Sequence, residues 1–280
     1  MAEHGDPRPI GVFDSGVGGL TVLAELHRRL PGEGTIYLGD NARTPYGPRP
    51  ADEVRRFTIE SVDWLLAQDV KLLVLACNTA TARALPEVRA RSSVPVLGVV
   101  RPGAVAATAA TRSREVGVIA TAGTVESGAY PEAIFEADAA TRVAQLACPD
   151  LVPMVEAGIL DGARAESVLR AYLEPLIRTH PGMDTLLLGC THYPLLRAPI
   201  ERIVGPGVAV VDSAFTTALA VEDLLDALGS RAGPGAEPMH RVTTTGDVDA
   251  FVTVAERLFA AGLPTVETAS IEASAPLPVD

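Results

Sequence analysis

The sequence predicts an α/β protein of two similar three-layer domains with mainly parallel sheets, related by a pseudo-two-fold axis, with a functional cleft between them. Short aliphatic runs alternate with longer amphipathic stretches along the 280 residues, which is typical of strands joined by crossover helices. The aliphatic runs are continuous rather than interrupted by polar residues, as expected of strands covered on both faces. Two pairs of similar segments also recur at similar offsets.

The recurring segments indicate an internal duplication. LLVLACNTAT around Cys77 resembles TLLLGCTHYP around Cys190, at an offset of 113 positions (190 − 77). IGVFDSG from Ile10 resembles VGVIATAGT from Val116, at an offset of 106 positions (116 − 10). Each cysteine ends an apolar run and opens a polar stretch, so both thiols are expected at the carboxyl ends of strands, where open α/β sheets bind ligands. One thiol from each half would then face a shared cleft.

Nine aliphatic or β-branched runs are predicted to be strands. In chain order they are Ile10–Phe13, Thr35–Leu38, Leu72–Ala76, Val94–Val99, Val116–Ala120, Arg142–Leu146, Leu186–Gly189, Val208–Val211 and Val242–Thr245. Amphipathic stretches between the strands are predicted to be helices. The clearest are Asp52–Gln68, Ala163–Thr179, Thr216–Leu228 and Val248–Ala261.

Two segments rich in proline or glycine mark the predicted crossings between the domains. They are VVRPGA at Val99–Ala104 and GPGVAV at Gly205–Val210. The first domain, which carries Cys77, is predicted to comprise residues 1–99 plus 208–280, and the second, which carries Cys190, residues 100–207. The second domain is then an insertion, after which the chain returns to complete the first.

The composition argues against several classes of protein. The formal net charge is −12 and no basic stripe is present, so nucleic acid is not an expected partner. No apolar stretch approaches the roughly 18 residues of a membrane span, and the first residues lack the pattern of a secretory signal. We therefore expect a cytoplasmic protein with no membrane partner. Three widely spaced cysteines, none in a CxxC pair, argue against a disulfide framework and a structural zinc site.

The residues that follow the two cysteines are suited to chemistry. A free cysteine is commonly a small buried hydrophobe, and this alternative stays open for Cys77. Asn78 and Thr79, however, form a polar helix start that suits a carboxylate better than a core. His192 follows Cys190 by two residues and can polarise its thiol, since only a few per cent of an ordinary thiol is ionised near neutrality. A purely structural histidine is the alternative.

Two loops of the first half are also candidates. FDSGVGGLT fails the dinucleotide-binding pattern because Thr21 stands where the third glycine should be. Asp14 and Ser15, with the exposed amides of this turn, suit a small anion and a proton relay, while a helix cap is the alternative for Asp14. The loop with Tyr46 and Gly47 is predicted to cover the same cleft edge, or else to be only a turn.

Two further residues are ambiguous on sequence grounds. Glu156 is an acid on an otherwise apolar segment. It either faces solvent, as most glutamates do, or assists Cys190 or His192. The third cysteine, Cys148, has no polar loop around it and precedes a proline, which favours core packing.

Taken together, the motifs FDSGVGG, TPYG, ACNTAT, VEAG and GCTHYP resemble, in this order and over nearly the whole chain, those of bacterial glutamate racemases, which are cofactor-independent amino-acid racemases. The resemblance implies that Cys77 and Cys190 are the catalytic acid and base, assisted by Asp14, Glu156 and His192. It also implies substrate contacts from polar and glycine positions of these motifs: Asp14, Ser15, Tyr46, Gly47, Asn78, Thr79, Thr191 and His192. The segment VVDSAF departs from the family, where glycine often follows the serine, but this loop is peripheral.

The chemistry implied by the resemblance is racemisation of glutamate. One thiolate removes the α-proton from one face while the opposite thiol supplies a proton to the other. By resemblance, Cys190 handles the proton of L-glutamate and Cys77 that of D-glutamate. No cofactor and no metal are expected, since no Schiff-base lysine or ligand cluster accompanies the thiols. L- and D-glutamate are the expected small-molecule partners, D-glutamate would feed peptidoglycan synthesis, and a homodimer is left open.

Three other functions stay open. A racemase for aspartate or a related acidic substrate would use the same residues. A catalytically silent binding or regulatory module on the same fold would need neither thiol. A thiol hydrolase would need one nucleophile with an oxyanion site, and the second cysteine loop would be unexplained.

Overall fold

The computed structural model describes residues 5–256 and 263–271. The strands in that part of the chain are β1 (Ile10–Asp14), β2 (Thr35–Gly39), β3 (Leu72–Leu75), β4 (Val96–Gly98), β5 (Glu115–Ala120), β6 (Arg142–Ala147), β7 (Thr185–Gly189), β8 (Ala209–Asp212), β9 (His240–Thr244) and β10 (Val266–Thr268). The helices are α1 (Leu20–Arg29), α2 (Ala51–Leu66), α3 (Asn78–Arg91), α4 (Val100–Ala110), α5 (Ala122–Ser127), α6 (Ala129–Ala137), α7 (Leu151–Glu156), α8 (Gly162–Thr179), α9 (Arg197–Val204), α10 (Ala214–Leu228) and α11 (Val248–Ala255), with a 3-10 turn at Tyr193–Leu196.

The strands form two parallel sheets. Among the described residues the first sheet has the order β10-β9-β2-β1-β3-β4 and the second the order β6-β5-β7-β8. The segment β2-β1-β3-β4 of the first sheet has the same arrangement as β6-β5-β7-β8 of the second. In each, the first strand of that half lies between the second and the third, and the fourth lies beyond the third. The duplication indicated by the sequence is therefore present in the topology. The predicted α/β class with two parallel-sheet layers is confirmed.

Each sheet has a buried apolar cluster on both faces. In β3, Leu72 and Val74 belong to one cluster, whereas Leu73 and Leu75 belong to another. Because alternate side chains of a strand point to opposite faces, the two clusters lie on opposite sides of the sheet. The residues of β7 divide between two clusters in the same way. This double-sided packing explains the continuous apolar runs and holds the carboxyl ends of the strands in fixed positions.

One strand lies in a different sheet from the one predicted. The predicted division at residue 208 assigns this strand to the first domain, but β8 pairs with β7, from Thr185 opposite Ala209 to Leu188 opposite Asp212. The glycine-rich segment before β8 is thus a turn between α9 and β8 within the second half. The chain leaves the second sheet after Asp212 and forms α10, which packs against α1. The rest of the domain division stays a prediction.

The nine predicted strands agree with the structure to within two residues at each end. The differences are largest at Val94–Val99, where β4 is shorter because Val99 already caps α4, and at Val242–Thr245, where β9 begins at His240. The edge strand β10 was not predicted, since it is only three residues long and mostly exposed. The predicted helix Val248–Ala261 is present as α11, and its last five residues lie outside the described part. No helix among the described residues is both long and apolar enough to cross a bilayer.

Candidate active site

A cavity lies where the carboxyl edges of the two sheets face each other. Connections after β1, β2 and β3 form one side, and connections after β5, β6 and β7 form the other, as expected for ligand sites of open α/β sheets. The residues that line it are Ser15, Thr44, Pro45, Tyr46, Gly47, Pro48, Cys77, Asn78, Thr79, Thr121, Ala122, Cys148, Pro149, Val152, Pro153, Cys190, Thr191 and His192.

Cys77 follows β3 and caps helix α3. Its Sγ accepts a hydrogen bond from the amide of Ala80 at 3.4 Å and lies 3.3 Å from Oγ of Ser15. Burial and the nearby charge of Asp14 raise the pKa of the Cys77 thiol to about 12, while the hydrogen bonds with Ser15 and Ala80 oppose this shift. Cys77 therefore rests as a protonated thiol, which is a proton donor.

Cys190 follows β7 and faces a histidine. Its Sγ lies 3.9 Å from Nδ1 of His192, and Nε2 of His192 lies 3.4 Å from Oε1 of Glu156. Burial lowers the pKa of His192, but the hydrogen bond with Cys190, the ion pair with Glu156 and the charges of Cys190 and Asp14 outweigh it and raise this pKa to about 10. The ring is thus a positively charged imidazolium at neutral pH, and it can exchange a proton with the adjacent sulfur.

Asp14 is the last residue of β1 and is fully buried. Its Oδ2 accepts from the amide of Gly16 at 3.0 Å, and its Oδ1 accepts from Oγ1 of Thr191 at 3.4 Å. Burial raises its pKa, against the charge of His192 and hydrogen bonds from the loop and Thr191. The loop after β1 approaches Thr191 closely, since a Cβ at Gly18 would lie 2.4 Å from Oγ1 of Thr191. Asp14 thus links the two halves through Thr191, and it is not the N-cap of α1, which is Gly19.

Asn78 and Thr79 form the N-terminus of α3 and contact the second half through their side chains. Oδ1 of Asn78 accepts from the hydroxyl of Tyr130 at 2.6 Å, whereas its buried Nδ2 has no hydrogen-bond partner among the described residues. Oγ1 of Thr79 lies 2.9 Å from Oγ1 of Thr121 and 3.3 Å from that of Thr124. The free donor of Asn78 belongs to a residue on the cavity wall, where an anion can accept from it.

The loop with Tyr46 and Gly47 closes one side of the cavity. The Tyr46 ring is buried beside Phe57, and its hydroxyl donates to Asp40. The carbonyl of Gly47 accepts from the amide of Gly123 across the cleft at 2.9 Å. A Cβ at Gly47 would lie 2.8 Å from Cβ of Thr121, so the approach requires glycine. The loop is more than a turn, since it joins the two halves at the cavity.

The structure brings most of the predicted site residues to this cavity. Those on its wall are Ser15, Tyr46, Gly47, Cys77, Asn78, Thr79, Cys190, Thr191 and His192. Asp14 and Glu156 do not line it: Asp14 lies behind Ser15 and Thr191, and Glu156 contacts His192 from the far side. Cys148, predicted as core, is buried but also forms part of the wall.

Several residues of the site were not predicted. Thr44 and Thr121 line the cavity, and Tyr130 lies behind Asn78. The duplication contains the signal for Thr121, because an offset of 106 from Ser15 leads to position 121. No sequence pattern marks Tyr130, which is buried and 52 positions from its partner Asn78.

Comparison with known proteins agrees with this geometry. Residues 10–222 match the model of the Asp/Glu/hydantoin racemase family. The glutamate racemase of Oceanobacillus iheyensis is 48% identical over 252 residues, which cover 90% of this chain and 92% of that protein. The glutamate racemase of Shouchella clausii is 47% identical over 272 residues, which cover 97% of each chain.

Solved structures show the same architecture. A glutamate racemase isoform from Bacillus anthracis superimposes with a TM-score of 0.89 at 42% identity, over 94% of this chain and 98% of that one. Glutamate racemase from Francisella tularensis, solved with D-glutamate, has a TM-score of 0.88 at 32% identity, over 96% and 100%. The similarity in sequence, topology and cavity leads to one conclusion. The chain belongs to the aspartate/glutamate/hydantoin racemase family.

Proposed function

We propose that this protein interconverts L- and D-glutamate by proton transfer between Cys77 and Cys190. The observation that carries the proposal is their placement, one at the end of β3 and one at the end of β7, on the wall of a single cavity. Inverting a carbon centre by proton transfer requires a base on one face and an acid on the other. Relatives 45% to 50% identical that are named glutamate racemase support glutamate as the substrate.

The cavity offers donors to an anionic substrate despite the net charge of −12. Nδ2 of Asn78 is buried and unpaired, and Asn78 is the first residue of α3. A helix N-terminus favours an anion because its amides point outward and its dipole is positive there. The hydroxyls of Ser15 and Thr191 belong to the same wall. We infer that a substrate carboxylate binds at the start of α3, between the thiols.

The surroundings of each thiol support its role. His192, which holds a proton beside Cys190, is proposed to exchange that proton with the sulfur as Cys190 accepts and releases the α-proton. Cys77, resting as a thiol, donates to the opposite face and becomes the base in the reverse direction. Asp14 acts on Cys77 through its charge, and Glu156 acts on Cys190 through His192. Glu156 is thus proposed as a positioning residue that does not touch the substrate.

Further parts of the proposal concern the cell. D-glutamate made in the cytoplasm would supply peptidoglycan synthesis. Glutamate is favoured over aspartate by the identity of the relatives, since an aspartate racemase from Picrophilus torridus, at 18% identity and a TM-score of 0.55, shares only the fold. A homodimer stays a prediction, which sedimentation velocity of the purified protein would test.

The deciding experiment is incubation with L-glutamate in D₂O after dialysis against EDTA and treatment with hydroxylamine. We expect the optical rotation to decay to zero, because the enantiomers have equal free energy, with deuterium entering the α-position. Activity that returns only on adding a metal or pyridoxal phosphate would contradict the thiol mechanism. Faster turnover of L-aspartate would favour the alternative substrate, and unchanged rotation with bound glutamate would favour a binding module.

A further inference from the structure

Tyr130 lies behind the cavity wall and contacts both cysteine loops. Its hydroxyl donates to Oδ1 of Asn78, the residue after Cys77, at 2.6 Å. Its ring packs against Gly189, the residue before Cys190, since a Cβ at Gly189 would lie 2.8 Å from Cε2 of the ring. One side chain on α6 thus links the start of α3 in the first half to the end of β7 in the second.

The ring of Tyr130 is held in a narrow slot. The residue is fully buried, and a Cβ at Gly103 of α4 would lie 3.2 Å from the hydroxyl oxygen and 3.3 Å from Cε1. Gly103 and Gly189 therefore leave room for the ring by lacking side chains. Because the ring is fixed between these two glycines, its hydroxyl oxygen has a fixed position next to the side-chain amide of Asn78.

This hydrogen bond decides which end of the Asn78 amide is free. Because Oδ1 accepts from Tyr130, Nδ2 is the end without a partner. An amide nitrogen donates two hydrogen bonds and suits a carboxylate, whereas an amide oxygen only accepts and would repel one. Burial raises the pKa of Tyr130 far above its ordinary value, so the phenol keeps the proton that it donates.

We infer that Tyr130 is a positioning residue that presents the N–H groups of Asn78 to the substrate carboxylate. It does so from the second half of the molecule, so the orientation of the amide depends on the two halves being in this arrangement. Tyr130 touches no substrate and acts through Asn78. The inference deepens the proposed function and rests on it.

A double-mutant cycle with Tyr130→Phe and Asn78→Ala tests this role, because the Phe variant keeps the ring and loses only the hydroxyl. We expect Tyr130→Phe to raise KM for both enantiomers about tenfold, as for the loss of one hydrogen bond to a charged group, and to change kcat less than about threefold. In the Asn78→Ala background the same change should alter KM less than about twofold. Tyr172→Phe, which removes a partly exposed hydroxyl bound to Asp150, is the matched control and should leave KM unchanged.

Two results would overturn the inference. One is an unchanged KM in Tyr130→Phe. The other is an equal rise of KM with and without Asn78, which would mean that Tyr130 acts by packing alone. The side-chain ¹⁵NH₂ signals of Asn78, assigned by their loss in Asn78→Ala, provide a test without substrate turnover: they should shift in Tyr130→Phe and not in Tyr172→Phe. A wild-type protein without racemase activity would refute the proposed function, while these signals would still decide the role of Tyr130.

Discussion

The two cysteine loops occupy corresponding places in the two sheets but surround their sulfur atoms differently. Cys77 contacts a hydroxyl and a backbone amide, from Ser15 and Ala80. Cys190 faces the imidazole of His192, which is itself paired with a carboxylate. The first sulfur lies among neutral hydrogen-bonding groups, and the second lies beside a group that carries a proton. The duplicated fold sets where each sulfur lies, and residues that differ between the halves set its chemistry.

The central strands of the two sheets show the same contrast. At an offset of 106, Asp14 at the end of β1 corresponds to Ala120 at the end of β5. The second half therefore has a methyl group where the first has a carboxylate. Its carboxylate comes from Glu156 at the end of α7 and reaches the sulfur through His192. Each thiol thus has one acidic residue behind it, supplied by a strand end in one half and by a helix in the other.

The largest expected effect comes from removing either sulfur. Cys77→Ala and Cys190→Ala should each lower racemisation by at least about 10³-fold, because each removes the only proton-transfer group on one face. The comparison is sharpened by α-proton exchange in D₂O, measured by NMR separately for each enantiomer. Cys77→Ala should retain some exchange with L-glutamate alone, and Cys190→Ala with D-glutamate alone.

Cys148→Ala is the matched control for these variants. Burial and the charges of Cys190 and Asp150 raise the pKa of the Cys148 thiol to about 12, and its Sγ contacts only the carbonyl of Leu146, at 3.7 Å, among the hydrogen bonds of the described residues. Most activity should remain. An equal loss in all three cysteine variants, with native circular dichroism, would contradict the assignment of two catalytic thiols.

The next effect concerns the helpers of each thiol. Removing a general acid–base group typically costs about 10²–10⁴-fold in rate, and we expect losses at the lower end for His192→Asn and Asp14→Asn. The ratio of kcat/KM in the two directions is fixed by the equilibrium constant, so asymmetry can appear only in kcat and KM taken separately. We expect His192→Asn to lower kcat more from L to D, and Asp14→Asn more from D to L. The measurement is steady-state kinetics in both directions with glutamate deuterated at the α-carbon. Equal losses of kcat in both directions for both variants would contradict this assignment of helpers.

Much of the fold and of the candidate site could be predicted from the sequence. Continuous aliphatic runs identify strands buried on both faces, and their ends place Cys77 and Cys190 at the cleft because parallel strands end at one edge. Motifs that follow a strand directly are local in sequence, so their residues reach the cavity together. The position of Thr121 also follows from the duplication, once Ser15 is assigned to the site.

Contacts between distant elements could not be predicted. The hydrogen bond from Tyr130 to Asn78 depends on how α6, which packs against α4 and α5, is placed relative to the start of α3, which no local pattern encodes. The sheet to which β8 belongs was assigned wrongly because a glycine-rich turn looks the same within a domain and between domains. Sequence also could not separate residues on the wall from those behind it, as with Glu156, since that depends on side-chain direction.

A smaller effect is expected from the carboxylate behind His192. Glu156→Gln keeps the size of the side chain but removes a charge that helps to raise the pKa of His192. We expect about a tenfold loss of kcat, at the low end for a group that acts through another, and a shift of the alkaline limb of the pH–rate profile to lower pH. Glu166→Gln, a glutamate on α8 paired with Arg170 and Arg202 at the surface, should change neither. An unshifted profile for Glu156→Gln would remove Glu156 from the mechanism.

The smallest effect is on the free energy of unfolding. His192 and Cys77 should affect it in different ranges of pH. The pKa of His192 is raised from 6.5 to about 10 in the folded protein, so its stabilising contribution is complete below pH 6.5 and is lost as pH rises toward 10. The pKa of Cys77 is raised from 9.0 to about 12, so its contribution begins to fall only above pH 9.

The free energy of unfolding, measured with urea at pH 7, 8 and 9, should therefore fall by up to about 1.4 kcal/mol per pH unit for one proton. His192→Asn should flatten this decline, and Cys77→Ala should leave it unchanged. His27, whose pKa is lowered to about 4 mainly by burial, titrates on the acid side and does not contribute in this range. The same decline in His192→Asn as in the wild type would show that His192 is not protonated at neutral pH. Cys190 would then have no charged group beside it, and the proposed difference between the two sulfur sites would be wrong.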